Sequence, residues 1–258
     1  MSIKFNRLGE EKFNNQHCLM KIVEYNNCDN ITVEFQDDYK TKIKTNYQAF
    51  LKGNVKNPYY PSVCGIGIIG VKYPVSINCK ATKEYQSWRS MLKRCVDGTL
   101  KEKYSTYKNV SCCEEWLYYE NFYEWLHSQK NFKQWLYGDK WELDKDIIKK
   151  KNKIYSPDFC CLVPHNINCL FIKSDTTRGE LPIGVKRKKD KFEAVCANPF
   201  TNKRDYLGSY LTVKEAFQAY KKRKEEIVKQ VARVEFSKNN ITEQCYEAMM
   251  NYEVEITD

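Results

Sequence analysis

The sequence contains no long apolar run that could form a membrane helix. Its longest apolar stretch, residues 63–71, includes three glycines and is far shorter than the roughly 20 apolar residues needed to span a bilayer. The first residues also lack the apolar core of a secretory signal. We therefore expect a protein without a membrane partner, located in the cytoplasm.

Sequence motifs for metal binding are scarce as well. None of the twelve cysteines forms a C-x-x-C pair, and the chain has only three histidines. The cysteines include two adjacent doublets, Cys112-Cys113 and Cys160-Cys161, and neighbouring residues on a strand point to opposite faces. The two thiols of a doublet are therefore poorly placed to bind one zinc ion, and we expect no zinc site. We interpret most cysteines as small buried apolar groups.

Positive charge is in excess, and most of the surplus lies in one segment. The chain carries a net charge of +10. Residues 178–224 contain thirteen Lys and Arg against five Asp and Glu, whereas residues 233–258 contain two against six. A basic surface favours a polyanionic partner because binding releases counterions. The alternative is a solvated basic hairpin without a ligand, which is what a run of charges usually is.

Short segments rich in β-branched and aromatic residues predict an all-β N-terminal region. Residues 19–23, 31–35 and 42–44 have strand-like patterns, and residues 26–30 are rich in turn formers. Several short strands joined by tight turns predict a small β-barrel.

Two central segments predict amphipathic helices. Residues 83–95 and 114–127 place aromatic and aliphatic side chains at helical spacing. Such aromatic stripes form a hydrophobic core more often than they contact a cofactor. Residues 160–164 then predict a buried strand.

The basic segment predicts three strands followed by a helix. The strand-like stretches are residues 183–187, 192–197 and 203–208, with turns between them. Thr212 and Glu215 have the spacing of a capping box, which predicts a helix over residues 213–232. A shorter capped helix is predicted over residues 242–252.

Side chains alternate along a strand, so this sheet is expected to have one exposed and one buried face. The exposed face is predicted to carry Lys186, Lys188, Glu193, Arg204 and Tyr206. The buried face is predicted to pack Val185, Val195 and Leu207 on Phe217 and Tyr220 of the helix. The opposite side of the helix is predicted to carry Lys221, Lys222, Arg223 and Lys224.

A series of motifs runs in a fixed order from residue 181 to residue 232. The motifs are Gly184-Val185, Arg187, Phe192-x-Ala194, Arg204 to Leu207-Gly208, Thr212, Glu215-Ala216 and Ala219-Tyr220. This order resembles the APETALA-two (ethylene-response-factor-like) DNA-binding domain. The resemblance implies a three-stranded antiparallel sheet packed on one helix, which binds double-stranded DNA. Phe192 stands where a tryptophan is frequent in that family.

A second set of motifs lies upstream. It comprises Trp88-x-x-Met91-x-x-Arg94-Cys95, Cys113-x-Glu115-Trp116, Leu143-Asp144-Lys145 and Tyr155-Ser156-Pro157-x-x-Cys160. These residues resemble the HNH endonuclease-like proteins of phages and mobile elements, which often carry a similar sheet-and-helix domain downstream. The resemblance implies a ββα site around one Mg²⁺ or Mn²⁺ ion, with a histidine as general base for water. It also suggests a phage or mobile-element protein in a bacterial host cell.

The chain departs from the HNH pattern at the positions that perform the chemistry. The general-base position is Lys145, and a lysine with an unperturbed pKa of about 10.4 is protonated and cannot deprotonate water. Phe159 replaces an expected asparagine. His165 could complete a metal site with Asp144 or Asp146, although we favour His165 as a polar residue capping the next helix. We therefore expect an HNH-like shape without cleavage.

These patterns divide an α+β protein into five segments. They are a small β-barrel-like domain (residues 1–61), a linker (62–80), a degenerate HNH-like domain (81–175), an APETALA-two-like DNA-binding domain (176–232) and an acidic C-terminal helix and tail (233–258).

The expected function is binding of double-stranded DNA by the basic sheet, without a cofactor. Arg204 is expected to read a guanine because its fork matches two acceptors, and Tyr206 lies two residues along the same strand. Contacts with phosphates are expected from Arg178, Lys186, Arg187, Lys188, Lys189 and Lys191.

Two alternatives come from other functional classes. The first is a Mg²⁺- or Mn²⁺-dependent HNH endonuclease, with Lys145 and His165 at the catalytic positions and Asp144, Asp146 and His165 as metal ligands. The second is a phage protein that binds and blocks a host protein. The long helix predicted over residues 213–232 could also mediate a homo-oligomer.

Overall fold

The computed structural model describes residues 6–103, 107–172 and 180–258. They belong to two compact units, one within residues 1–105 and 112–123 and the other within residues 106–111 and 124–258. Helices and several antiparallel sheets make this an α+β protein, as predicted. No helix in these described ranges is long and apolar enough to cross a membrane.

The strands are numbered in chain order. They are β1 (Glu11–Phe13), β2 (Leu19–Asn27), β3 (Asn30–Phe35), β4 (Lys42–Thr45), β5 (Ser76–Ile77), β6 (Lys80–Ala81), β7 (Ser111–Cys112), β8 (Trp141–Asp144), β9 (Ile154–Tyr155), β10 (Cys161–Pro164), β11 (Val185–Lys188), β12 (Lys191–Asn198) and β13 (Lys203–Tyr210).

The α-helices are numbered in the same way. They are α1 (Tyr47–Leu51), α2 (Lys83–Val96), α3 (Gly98–Lys103), α4 (Tyr119–Ser128), α5 (Phe132–Tyr137), α6 (His165–Leu170), α7 (Val213–Ser237) and α8 (Glu243–Met250). A 3₁₀ helix, Glu114–Leu117, precedes α4.

The N-terminal sheet is antiparallel, with its strands in the order β1-β2-β3-β4. Its core side chains are fully buried and include Met20, Ile22, Ile31, Val33 and Phe35. The predicted strands of this region are confirmed. The predicted barrel is not confirmed, because within the described residues β1 and β4 are two open edges of the sheet.

Part of the predicted linker, residues 62–80, packs against α2. Gly67 lies so close to Trp88 and Leu92 that a Cβ at this position would overlap the Leu92 side chain. Trp88 is fully buried, and its indole N–H donates to the carbonyl of Trp116 at 2.8 Å. A larger residue at position 67 would therefore force the Leu92 or Trp88 side chain to move.

The predicted single helix over residues 114–127 is interrupted at Tyr118. This residue is extended, with φ −93° and ψ 121°, and separates the 3₁₀ helix from α4. Ile68 donates its N–H to the carbonyl of Leu117 and accepts the N–H of Tyr119, both at 2.8 Å. These bonds to a distant segment replace helical bonds, so helical periodicity alone does not reveal the break.

The core of the second unit lies between the sheet β11-β12-β13 and helix α7. Val185, Ala194 and Cys196 of the sheet are buried in one cluster with Phe217 and Tyr220 of the helix. The predicted three-stranded antiparallel sheet packed on one helix is therefore confirmed.

Helix α7 begins with the predicted capping box. The Thr212 hydroxyl accepts the N–H of Glu215 at 3.2 Å, and the Glu215 carboxylate accepts the N–H of Thr212 at 3.1 Å. We expect Thr212→Ala to lower the free energy of unfolding by about 1 kcal/mol, because a helix N–H loses its acceptor. Thr212→Ser keeps the hydroxyl and should stay close to the wild type. Urea unfolding followed by circular dichroism measures both, and equal stability of the two variants would contradict this role.

Candidate nucleic-acid interface

The side of the sheet turned away from α7, here called the outer face, carries most of the basic side chains predicted to contact DNA. The strand register pairs Lys186 with Glu193 and Lys188 with Lys191. It also pairs Val195 with Tyr206 and Ala197 with Arg204. Because directly opposed side chains lie on one face, the outer face holds four cations and one carboxylate. The cations are Lys186, Lys188, Lys191 and Arg204.

Arg204 is the outer-face residue that was predicted to read a base. It is exposed, and its guanidinium forms no hydrogen bond or ion pair with any described residue. Lys186 and Lys191 are exposed and unpaired in the same sense, and Tyr206 is 62% exposed. Lys188 differs, because its ammonium donates to Glu193 at 2.7 Å and this bond raises the pKa of Lys188.

Two other predicted phosphate contacts do not lie on the outer face. Arg187 is opposite Phe192 on the side that faces α7, and its guanidinium lies 5.5 Å above the Phe192 ring. Lys189 is in the turn between β11 and β12, with φ 53°. Both remain exposed beside this turn. Arg178 falls outside the described residues.

The prediction for Val195 is wrong. Val195 is opposite Tyr206 on the outer face, while Ala194 and Cys196 point toward α7 and are buried. Glu193 and Val195 are two residues apart, so strand alternation places them on the same face. Leu207 sits where the register shifts and packs against the core, as predicted.

An ion pair fixes the strand that carries Arg204 to helix α7. Arg223 donates from Nε and Nη2 to Oδ2 of Asp205 at 2.9 and 2.8 Å. Asn198 donates to the same oxygen at 3.0 Å. The Arg223 guanidinium holds the pKa of Asp205 below its ordinary value. Because Asp205 is next to Arg204, these bonds restrain the backbone from which Arg204 projects.

Two of the four basic residues predicted on the exposed side of α7 lie elsewhere. Arg223 contacts the sheet, and Lys224 is only 9% exposed. Lys224 follows Tyr220 by four residues and precedes Ile227 by three, which is the spacing of a buried helix face. This spacing indicates that position 224 is buried. The cationic neighbours of Lys224 led instead to the prediction that it is exposed.

In the region predicted to resemble HNH proteins, β8 is followed by the short strand β9, then by β10 and α6. β8 and β10 pair antiparallel, and α6 follows β10 directly. Asp144 ends β8, and its carboxylate accepts the N–H groups of Asp146 and Ile147, both at 2.8 Å. Lys145 is buried, and its ammonium lies 3.1 Å from the Asp146 carboxylate. The Asp146 carboxylate therefore holds this ammonium in an ion pair.

His165 is the first residue of α6, and its side chain is exposed. Its Nδ1 is 3.1 Å from Oε1 of Glu142, and its Nε2 is 3.3 Å from Sγ of Cys169. Its ring therefore contacts neither Asp144 nor Asp146. Within the described ranges, no group of three or more His, Cys, Asp or Glu residues is arranged to hold a metal ion.

Asp144 should make stability depend on pH. Burial raises its pKa from 3.8 to about 6. A carboxyl with a raised folded pKa stabilises the fold fully below its unfolded pKa and loses that contribution as the pH rises through the folded pKa. The loss is therefore expected between pH values of about 4 and 6.

Asp144→Asn tests this dependence. The variant keeps an oxygen acceptor for the two N–H groups but has no charge to bury. At pH 7 its free energy of unfolding should exceed that of the wild type by about 1–3 kcal/mol. The difference should shrink toward zero at pH 4, as measured by urea unfolding at both pH values. A less stable variant at pH 7 would contradict the assigned burial penalty.

These residues define a class of structure, namely an antiparallel sheet that packs on a helix and has a cationic outer face. No protein-family model matches the chain, and no curated protein or solved structure is detectably similar to it. The resemblances to HNH and APETALA-two proteins therefore stay predictions.

Proposed function

We propose that this protein binds double-stranded DNA by placing the outer face of its sheet in the major groove. The supporting observation is that Lys186, Lys191 and Arg204 lie on this face without an ion pair to any described residue. The one carboxylate there, Glu193, is already bound to Lys188. Unpaired cations on one face can neutralise phosphates and release their counterions.

The dimensions of the sheet suit the groove. Neighbouring strands lie about 4.8 Å apart, so three strands span about 10 Å between their backbones. The major groove is about 12 Å wide. Arg204 on β13 can donate both arms of its guanidinium to O6 and N7 of a guanine. Lys186 and Lys191 would contact phosphates, which sets affinity without reading sequence.

We also propose that the protein does not cleave the DNA that it binds. The position expected for the general base is Lys145, whose ammonium is held by Asp146. His165 is turned toward Glu142 and Cys169 instead. The resemblance to HNH-like proteins of phages and mobile elements supports a role for this protein in such an element.

A salt titration tests the binding. Fluorescence anisotropy with a random-sequence duplex should give a logarithm of the binding constant that falls linearly with the logarithm of salt concentration. Lys186→Ala should reduce that slope by about 1, since one phosphate contact is lost. Lys222→Ala on α7 removes an exposed charge outside the outer face and should leave the slope nearly unchanged. Absence of duplex binding at low salt would overturn the proposal.

A plasmid assay tests the absence of cleavage. Supercoiled plasmid with Mg²⁺ or Mn²⁺ should stay intact at protein concentrations that saturate binding. Nicking that disappears in His165→Ala would instead identify an endonuclease. Capture of a host protein that is unaffected by competitor DNA, together with no duplex binding, would favour the protein-binding alternative.

A further inference from the structure

A cavity of about 720 Å³ lies in the second unit. It is lined by the residues before β8, by α6, by the turn between β12 and β13, and by α7. Cavities of about 300–1,000 Å³ commonly hold small ligands in proteins. None of the residues that carry the proposed DNA contacts lines it except Arg204.

The cavity wall is strongly cationic. Lys140, Lys203, Arg204 and Lys224 line it, together with one carboxylate, Asp139. A concave surface lined by charges of one sign concentrates the electrostatic potential and attracts ions of the other sign. The expected ligand is therefore an anion.

Lys224 is the unusual member of this set. It is 9% exposed and forms no hydrogen bond or ion pair with any described residue. Burial lowers the pKa of Lys224. Buried charges in folded proteins are almost always paired, because an unpaired one is costly to desolvate.

A neighbouring lysine on the same helix, Lys221, has partners for its ammonium group. Lys221 donates to the carbonyl of Val254 at 2.8 Å and lies 2.7 Å from the Glu225 carboxylate. Among the residues that the structure describes, Lys224 has no such partner, and it lines the cavity. This cavity therefore gives a counterion a route to the Lys224 side chain.

The wall also has an apolar part, which includes Leu170, Ala197 and Pro199. A ligand that fills the cavity can therefore join an anionic group to a less polar body. A phosphate monoester carries close to two negative charges at pH 7 and has three acceptor oxygens. It therefore matches a site with several cations better than a ligand with a single carboxylate does.

We infer that this cavity binds a phosphate monoester, with Lys224 as the counterion of the phosphate and Leu170 and Pro199 against its organic part. Such a group occurs in a free nucleotide and at the 5′ end of a DNA strand. This binding can be tested apart from the proposed function, because Lys224 is on the buried side of α7, although Arg204 belongs to both sites.

Lys224→Met is the decisive variant. Methionine has a similar length and no charge, so it should fold with a melting temperature at or above that of the wild type, since an unpaired buried charge is removed. Lys222→Met on the exposed side of the same helix is the matched control. Thermal denaturation without ligand verifies that both variants fold.

Isothermal titration calorimetry with the full chain uses thymidine 5′-monophosphate, thymidine and inorganic phosphate as probes. The monophosphate should bind saturably and more tightly than inorganic phosphate, and thymidine should not bind. Lys224→Met should weaken the monophosphate about 10–100-fold, as expected for loss of a charge-assisted hydrogen bond. Lys222→Met should bind like the wild type.

A second arm uses short duplexes with 5′-phosphate or 5′-hydroxyl ends. Tighter binding of the phosphorylated duplex, lost in Lys224→Met, identifies the DNA end as a source of the phosphate. The 5′-hydroxyl duplex reports outer-face binding alone, so a failure of the proposed function is seen separately. If neither the monophosphate nor the 5′-phosphate improves binding, or if Lys224→Met binds both like the wild type, the inference is overturned.

Discussion

Arg204→Ala is expected to weaken binding to the preferred DNA sequence by about 1–3 kcal/mol, or roughly 5- to 150-fold. The guanidinium is exposed and has no hydrogen bond or ion pair within the described residues, so it reaches DNA without first breaking an internal contact. If it reads a guanine with two parallel hydrogen bonds, its removal should also broaden the range of sequences bound.

The measurement starts with sequences selected from a random pool by the wild-type protein. Anisotropy then compares the wild type, Arg204→Ala and Arg204→Lys on a selected duplex and on one with the guanine replaced. Arg204→Lys should keep part of the affinity and lose the discrimination, because an ammonium lacks the fork. Arg233→Ala removes an exposed arginine of α7 that forms no hydrogen bond or ion pair with any described residue. Equal losses in the Arg204→Ala and Arg233→Ala proteins would rule out base reading by Arg204.

Gly184→Ala should be among the most destabilising single substitutions in the second unit. Gly184 has φ +79°, and a Cβ there would overlap the ring of Tyr220. The left-handed backbone costs an alanine about 1–2 kcal/mol, and the forced repacking adds about 1–3 kcal/mol. We therefore expect the free energy of unfolding to fall by roughly 2–5 kcal/mol.

Gly65 provides the matched control, because its φ is +78° and a Cβ there meets no atom within 4 Å. Gly65→Ala should incur the backbone cost alone. Calorimetry and urea unfolding, read by circular dichroism, compare both variants with the wild type. Equal destabilisation by the two substitutions would show that contact with Tyr220 is not tight.

Local signals in the sequence predicted the C-terminal sheet, its helix and the Thr212 capping box. These features depend on residues close together in the chain, such as Thr212 with Glu215. The break at Tyr118 depends instead on hydrogen bonds from Ile68, about fifty residues upstream. The sequence around Tyr118 contains no pattern that indicates this pairing. The helical periodicity of residues 114–127 therefore predicted one continuous helix.

The candidate sites also differ in whether they depend on residues close together in the chain or far apart. The outer-face positions of Lys186, Arg204 and Tyr206 follow from strand alternation, and the register places them as predicted. The cavity around Lys224 collects residues from four separate segments. Sequence motifs predicted neither the burial of that lysine nor its neighbours, because both depend on how α7 packs.

The order of the three strands has one further consequence. Within the described residues β11 has a single neighbour, β12, so its other side offers unpaired backbone groups to any passing strand. Lys186, Arg187 and Lys188 occupy this edge in succession, and like charges discourage a second copy from adding its own edge strand there. Variants that neutralise several of these residues would thus become prone to edge-to-edge aggregation, and light scattering should accompany every binding measurement made with them.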